Sequence, residues 1–231
     1  MISPLPTDRL PMNDPTARPA GPSRAARPDR RKPPSPPARQ HPLLERLAQW
    51  YPALFGEALK PLKRGVFQDL MAAHGNDIAE ADLKAALALH TRSTRYLSAV
   101  ASGQARHDLA GQPVEDVAPE QLHHALVEVF RRRQTRSPQD LAPQLQQRIA
   151  RAFEASGLGR EAYATLVRGK DDKINALTDA ALDSASAGLA RESALLRAFE
   201  ASGQSVAGFA DAYGMTVADA QRTLDRARAR R

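Results

Sequence analysis

The chain has 231 residues, a formal net charge of +7 and no cysteine. The lack of cysteine excludes disulfides, thiolate zinc sites and thiol nucleophiles, and agrees with a reducing compartment. No apolar run approaches the roughly 20 residues of a membrane span, and the N-terminus lacks the apolar stretch of a secretory signal. We therefore expect a cytoplasmic protein with no membrane partner, and the basic charge favours polyanions.

The first 40 residues are proline-rich and basic. They hold 11 of the 18 prolines and carry a net charge of +5. The run Pro33-Pro34-Ser35-Pro36-Pro37 is incompatible with a helix or a strand ladder. We predict a disordered Pro/Arg-rich tail at 1–40, which serves either as a nonspecific tether for RNA or as a solubilising linker.

Residues 41–136 have the apolar periodicity of a folded, mainly helical domain. Their net charge is only +1, so a binding face must come from segregation of charges. The first predicted element is a helix with Leu43, Leu44, Leu47 and Trp50 inward, and the second is a helix with Pro61 in its first turn. A third helix covers Ile78–His90, and a fourth starts at Ser93. A short hairpin within 105–114 turns at Ala110-Gly111, and a last helix runs from Pro119 to Arg131-Arg132-Arg133.

Residues 137–231 are Ala-rich, helical in pattern and nearly neutral. The heptapeptide Arg-Ala-Phe-Glu-Ala-Ser-Gly occurs at 151–157 and again at 197–203, an offset of 46 residues. Tyr163 and Phe209 continue the same register. Each copy predicts a helix ended by glycine and followed by a short helix. The two units either stack their aromatic faces or act as separate docking hairpins.

Four blocks follow one another in the central region. They are PLKRGVFQDL at 61–70, LKAALALHT at 83–91, RSTRYL at 92–97 and RHDLAG at 106–111. In this order and spacing they resemble the ProQ/FinO domain of bacterial RNA chaperones, over about 90 residues. The resemblance does not extend to the flanking regions, so we predict three parts: the tail at 1–40, a ProQ/FinO-like RNA-binding domain at 41–136, and the helical repeats at 137–231.

The resemblance implies an elbow-shaped, mainly helical domain with a small β-hairpin. In this family a concave face grips the stem of a terminator hairpin, and a pocket at a helix N-terminus receives the 3′ end of the uridine tail. The implied partners are structured RNAs, namely small RNAs and mRNA 3′ ends. The implied outcome is RNA stabilisation or annealing of small RNA to mRNA.

The residues around the fourth helix suit such a pocket. A helix that begins near Thr91–Ser93 leaves amides unpaired at its positive end, where phosphate binds readily. Thr91 and Ser93 add hydroxyl donors, and Arg92 and Arg95 add charge. The alternative is that Thr91 or Ser93 merely caps the helix.

Four further residues are assigned to RNA by the resemblance. Lys63 and Lys84 are assigned to the RNA backbone and concave face, Tyr96 to a base or ribose, and Arg106 to an RNA contact positioned by Asp108. The alternatives are a solvated lysine, a half-buried core tyrosine and a simple surface ion pair between Arg106 and Asp108. Departures from the family occur at Ala88, where relatives often carry a basic residue, and at His90, where they often carry an aromatic one.

No pattern indicates an enzyme, a metal site or a cofactor. The six histidines all lie in the central region without a metal-ligand spacing, and no phosphate loop or nucleophile motif is present. Two alternatives to RNA binding remain. Residues 209–216 have the Ala-x-x-x-Gly turn of a DNA-binding helix-turn-helix, with a recognition helix at about 217–228. Otherwise the repeats at 137–231 form an adaptor that docks a protein partner.

Overall fold

The computed structural model describes residues 41–230. The tail at 1–40, predicted to be disordered, lies outside the described residues, as does residue 231. The described part is mainly helical with one small two-stranded antiparallel sheet. The predicted fold class, a helical domain with a β-hairpin followed by helical repeats, is therefore confirmed.

The secondary structure follows the predicted order, with added short elements. The central region contains α1 (Pro42–Trp50), α2 (Pro52–Phe55), α3 (Val66–His74), α4 (Glu80–Arg92), α5 (Thr94–Val100), β1 (Arg106–His107), β2 (Pro113–Glu115) and α6 (Pro119–Gln134). The C-terminal region contains α7 (Ala142–Ser156), α8 (Arg160–Val167), α9 (Asp172–Ser202), α10 (Val206–Ala212) and α11 (Val217–Ala229). Gly111, with φ of +76°, lies in the hairpin turn as expected.

The prediction that Pro61 opens a helix is wrong. Leu62 instead forms a parallel bridge with His107 of β1. The amide of His107 donates to the carbonyl of Pro61 at 2.8 Å, and the amide of Lys63 donates to the carbonyl of His107 at 2.8 Å. Helix α3 begins only after Gly65, whose φ of +83° turns the chain. The segment is extended because it completes the edge of the hairpin, a long-range contact that local helix rules do not include.

One hydrophobic cluster joins the central helices to the first half of the C-terminal region. It extends along the chain from Leu43 of α1 to Ala185 of α9. Helix α7 packs against both α6 and α9. The described residues, 41–230, therefore belong to one compact unit. The functional boundary between 136 and 137 stays a prediction, but no gap in packing marks it.

The two copies of the repeat have the same local structure. In the first, Ser156 donates to the carbonyl of Phe153 at 2.7 Å and accepts the amide of Leu158. In the second, Ser202 donates to the carbonyl of Phe199 at 2.8 Å and accepts the next-but-one amide. Both helices then end on glycines with left-handed φ of +66° and +61°. The repeated sequence therefore encodes a repeated helix ending.

The aromatic side chains of the two copies also match. Phe153 and Tyr163 meet edge to face with ring centroids 5.4 Å apart, and Phe199 and Phe209 do so at 5.3 Å. Each copy thus packs its own aromatic pair internally, and these rings do not stack between the two copies. A role of the copies as docking hairpins stays a prediction. Helix α9 is shared, because it follows α8 in the first copy and precedes α10 in the second.

Within residues 41–230, no helix is both long enough and apolar enough to cross a bilayer.

Candidate nucleic-acid interface

Two of the predicted site residues, Tyr96 and Arg106, bond to the backbone of one residue, Leu62. The amide of Leu62 donates to the hydroxyl of Tyr96 at 3.0 Å, and its carbonyl accepts Nη1 of Arg106 at 2.7 Å. Lys63 is the next residue along the chain. Helix α5, strand β1 and the segment before α3 are therefore fixed to one another at this point.

Tyr96 is part of the core. Its side chain is buried, with a residue exposure of 6%. Its ring centroid lies 5.0 Å from that of His90, and its hydroxyl is occupied by Leu62. The structure thus places Tyr96 as the core tyrosine that the sequence left as its alternative, and in this state the ring has no free face for a base.

Arg106 is also largely enclosed. Its side chain is 12% exposed, and it donates to Oε1 of Gln121 on α6 at 2.5 Å. The carboxylate near it is that of Glu115, at 3.9 Å. The prediction that Asp108 positions Arg106 is wrong. Asp108 lies beyond β1 in the hairpin turn, where its carboxylate accepts the amide of Gln112 at 2.9 Å.

The two predicted lysines are accessible and carry carboxylate partners. Nζ of Lys63 lies 2.8 Å from Asp69 of α3, and this bond raises the pKa of the lysine. Nζ of Lys84 lies 2.5 Å from Glu80, one helical turn away on α4, and 5.7 Å from the ring centroid of Phe67. The Lys84 pair is exposed and the Lys63 pair is half-buried, so a phosphate can compete for the ammonium of Lys84 at little energetic cost and for that of Lys63 at a somewhat higher one.

Helix α5 begins at Thr94, one residue after the predicted start at Ser93. Thr91 and Arg92 form the last turn of α4, where the hydroxyl of Thr91 donates to the carbonyl of Leu87 at 2.8 Å. Ser93 alone is the cap of α5, and its hydroxyl accepts the amide of Tyr96 at 3.1 Å. The back-bond of Thr91 satisfies its hydroxyl within α4, which explains why α4 continues past it.

Arginines surround the start of α5. Arg95 donates to the backbone carbonyl of Glu57 at 2.8 Å and Arg132 to that of Arg92 at 2.8 Å. Arg132 also donates to the hydroxyl of Thr94 at 3.1 Å. Bonds to carbonyls orient both guanidinium groups, and Arg132 also has a carboxylate partner, Glu128, at 3.6 Å. Arg132 is a site residue that the sequence did not single out, although it belongs to the basic run at 131–133 that was noted at the end of the last helix.

His90 is a buried histidine beside this site. Its ring lies between those of Phe55 and Tyr96, with centroids 4.8 and 5.0 Å away. Burial, and secondarily the charge of Arg95, lowers the pKa of His90 to about 4. At neutral pH it therefore adds no charge to the surface, and it fills the aromatic position of the core. The described residues contain no group of three or more metal-ligating side chains.

The alternative DNA-reading segment folds as a helical hairpin of α10 and α11, with Gly214 at φ +62° in its turn. A recognition helix needs arginines that are available to phosphates and bases. Those of α11 each have a carboxylate partner, in the pairs Arg222–Asp219, Arg226–Glu192 and Arg228–Asp225. The charge of this helix is therefore compensated within the hairpin and its neighbour α9.

Comparison with known proteins places the central region in a family. A model described as the ProQ/FINO family matches residues 38–142. The chain is 38% identical over 122 residues to the RNA chaperone ProQ of Aeromonas salmonicida (strain A449), covering 48% of this chain and 58% of that protein. It is likewise 38% identical over 122 residues to the RNA chaperone ProQ of Aeromonas hydrophila subsp. hydrophila, covering 48% of this chain and 57% of that protein.

A solved structure is also similar in sequence. The NMR solution structure of a ProQ homolog from Legionella pneumophila is 30% identical, covers 43% of this chain and 87% of the other, and superposes with a TM-score of 0.34. The chain spans a little under three fifths of the length of the curated relatives it matches, at 58% and 57%. Residues 38–142 are thus the part of this chain that is similar to the ProQ/FINO family.

Proposed function

We propose that this protein is a non-catalytic RNA chaperone that acts in the bacterial cytoplasm. It binds structured RNA, namely terminator-like hairpins with a 3′ single-stranded tail in small RNAs and mRNA 3′ ends. Its regulatory effect is to stabilise such RNA or to anneal small RNA to mRNA. The match of residues 38–142 to the ProQ/FINO family model and the two relatives named RNA chaperone ProQ support this proposal.

The observation that carries the proposal is the arginine-lined start of α5. Ser93 takes up the amide of Tyr96, while the amides of Thr94 and Arg95 have no acceptor within the helix. Arg92 and Arg95 are exposed beside these amides. Backbone donors and uncompensated guanidinium groups together suit a phosphate or the terminal hydroxyls of a ribose.

The geometry assigns two kinds of role within this proposal. Lys63, Lys84, Arg92 and Arg95 are accessible and would contact RNA directly. The other predicted residues, Thr91, Ser93, Tyr96 and Arg106, are engaged in internal hydrogen bonds that hold α5 and the hairpin in place. They would act by positioning the contacting groups, with Thr91 and Ser93 at the edge of the site.

The 3′-end model is tested with the full chain and a hairpin that carries a uridine tail. Removing the tail or phosphorylating its 3′ end should weaken binding by roughly 1–3 kcal/mol, the cost of a lost charge-assisted hydrogen bond. Isothermal titration or filter binding gives the affinities. Equal affinity for the tailed and blunt hairpins would reject the pocket at α5.

The backbone contacts are tested separately through salt dependence. Arg95→Gln or Lys63→Gln should reduce the log–log salt slope by about 0.7–0.9 per lost phosphate contact. A matched control is Arg222→Gln, which removes an exposed, carboxylate-paired cation on α11, outside the candidate site. A residue whose replacement leaves the slope unchanged is removed from the set of contacts.

A further inference from the structure

Three arginines of α6 and α7 have no carboxylate partner among the described residues. They are Arg133 near the end of α6, and Arg148 and Arg151 on α7. This differs from α11 and α8, where ion pairs compensate the arginines, as in Arg226–Glu192 and Arg160–Asp183. The near-neutral total charge of 137–231 therefore conceals a segregation in which positive charge is left over on α7.

These arginines line one continuous groove. Arg95 and Arg133 share a depression that Ser102 also lines. Ser102 also borders the next depression, which Arg148 and Arg151 line. Arg133 and Arg148 in turn flank a third depression between α6 and α7. We call this surface the α5–α7 groove, defined by Arg95, Ser102, Arg133, Arg148 and Arg151.

Arg148 is held rigidly in the groove. Its guanidinium donates to the carbonyl of Ala101 at 2.8 Å, at the end of α5. Burial lowers the pKa of Arg148, and the nearby charge of Arg133 lowers it further. The two cations thus repel each other with no carboxylate between them among the described residues. The carboxylate that borders the groove, Glu57, lies at the Arg95 end. An anion bound along the groove would relieve the repulsion.

We propose that the α5–α7 groove binds the sugar–phosphate backbone of RNA, as a continuation of the site at the start of α5. The inference rests on the proposed function. It extends the RNA-contacting surface beyond residues 38–142, the part matched by the family, onto α7 (Ala142–Ser156). RNA is the occupant because the groove begins at Arg95 of the candidate site, and because a spaced line of guanidinium groups fits a polyanion with regularly spaced charges.

The test uses the full chain and a tailed hairpin with a single-stranded 5′ extension. The double variant Arg133→Gln/Arg151→Gln removes two exposed cations and spares the half-buried Arg148. It should lower the salt slope of binding by about 1.4–1.8, from about 0.7–0.9 per phosphate contact. It should leave unchanged the ratio of affinities for tailed and blunt hairpins, because the start of α5 is intact.

Two matched variants serve as controls. Arg133→Lys/Arg151→Lys keeps the charge and should keep most of the slope, and Arg222→Gln/Arg226→Gln on α11 should leave it unchanged. Circular dichroism melting establishes that each variant folds, and if the double variant does not, Arg151→Gln alone should lower the slope by about 0.7–0.9.

The outcomes separate this inference from the proposed function. A wild-type slope in a folded Arg133→Gln/Arg151→Gln variant would overturn the groove as an RNA site while leaving the α5 site standing, and would leave an acidic protein as its partner. A wild-type protein that binds no RNA would instead overturn the proposed function itself.

Discussion

At the scale of single residues, His90 and His123 are buried, and His90 lies beside the candidate site. His90 lies under α5, and His123 of α6 is hydrogen-bonded to Thr178 of α9 at 3.0 Å. Burial lowers the pKa of each to about 4, with further lowering by the charge of Arg95 on His90 and of His124 on His123. Both are therefore neutral in the folded protein at neutral pH and protonate far more readily when it unfolds.

This difference predicts a loss of stability in mild acid. Between pH 6.5 and about 4 the unfolded chain binds protons at His90 and His123 that the folded chain does not. The free energy of unfolding should be constant above pH 6.5 and fall as pH decreases toward 4, by about 2–3 kcal/mol per histidine at the lower end. Urea unfolding at several pH values from about 7 down to about 4 measures this change in the free energy of unfolding.

A variant assigns this effect to the histidines. His123→Gln keeps a hydrogen-bonding group near Thr178 and removes one titration, so the pH dependence should decrease by about half. If the free energy of unfolding stays constant between pH 6.5 and 4.5 in the unmodified chain, the low pKa values are incorrect.

The role of Tyr96 yields a second prediction at this scale. Tyr96→Phe leaves the buried amide of Leu62 without its acceptor at 3.0 Å, so unfolding should become easier by about 1–3 kcal/mol. Denaturant titration measures the change. Because the ring is buried, the salt slope of RNA binding should stay at its original value. A lower affinity for RNA with unchanged stability would show instead that the hydroxyl contacts RNA.

At the scale of elements, glycines with left-handed backbone conformation end helices α7 and α9, one in each copy of the repeat. Gly203, at φ +61°, has open space around the position of a side chain, so replacing it strains only the backbone. Gly203→Ala should therefore lower the stability by about 1 kcal/mol. Gly188, within α9, also faces open space, and Gly188→Ala should raise stability by about 0.5–1 kcal/mol because alanine favours a helix.

The two alanine variants are measured together by thermal and denaturant unfolding. They carry the same change in chemistry and differ only in backbone conformation, so their effects should have opposite signs. Equal effects would mean that the end of α9 does not require a left-handed residue.

Local rules predicted the elements well and the contacts between them poorly. The capping of α5 by Ser93 and the glycine endings of the repeats depend on residues within one or two turns, so the sequence is sufficient. Pro61 was assigned to a helix because its bridge partner, His107, is distant in the chain. The same limitation hid the bond between Leu62 and Tyr96, which are 34 residues apart. Such pairings depend on how helices pack, and no short motif encodes them.

The pairing of charged side chains at the candidate site is also difficult to predict from the sequence. The sequence identified the cations on α4 and α5, but it paired Arg106 with Asp108 because alternate strand residues share a face. In the folded chain β1 ends at His107, and Arg106 reaches Gln121 of α6 instead. Predicting which arginines keep a free charge requires the positions of carboxylates on other helices, as Arg226 and Glu192 illustrate.

At the scale of the whole molecule, the described part contains two hydrophobic clusters of unequal size. The large one joins α1 to the first half of α9, and the small one is built on Leu196, Leu224 and Ala227. Few apolar groups stabilise the small cluster, so α10 and α11 should open with a lower free energy than the rest of the unit.

Hydrogen exchange tests this difference. Leu224→Ala, at a site 1% exposed, should remove a substantial part of the small cluster and increase amide exchange in α10 and α11, with little change in α4 to α7. Ile149→Ala, at a site 0% exposed in the large cluster, should lower the global stability by about 2–5 kcal/mol. Uniform acceleration across all helices in the Leu224→Ala variant would mean that the two clusters unfold as one.

Helix α9 has a consequence for how this architecture can grow. Its 31 residues make a rod of about 46 Å, and its two ends belong to successive copies of the repeat. Since the closing helix of one copy is the opening helix of the next, a tandem duplication of a 46-residue segment would lengthen the array without requiring a new type of interface. The C-terminal region is thus a modular extension whose length evolution can change while the packing of the ProQ/FINO domain stays as it is.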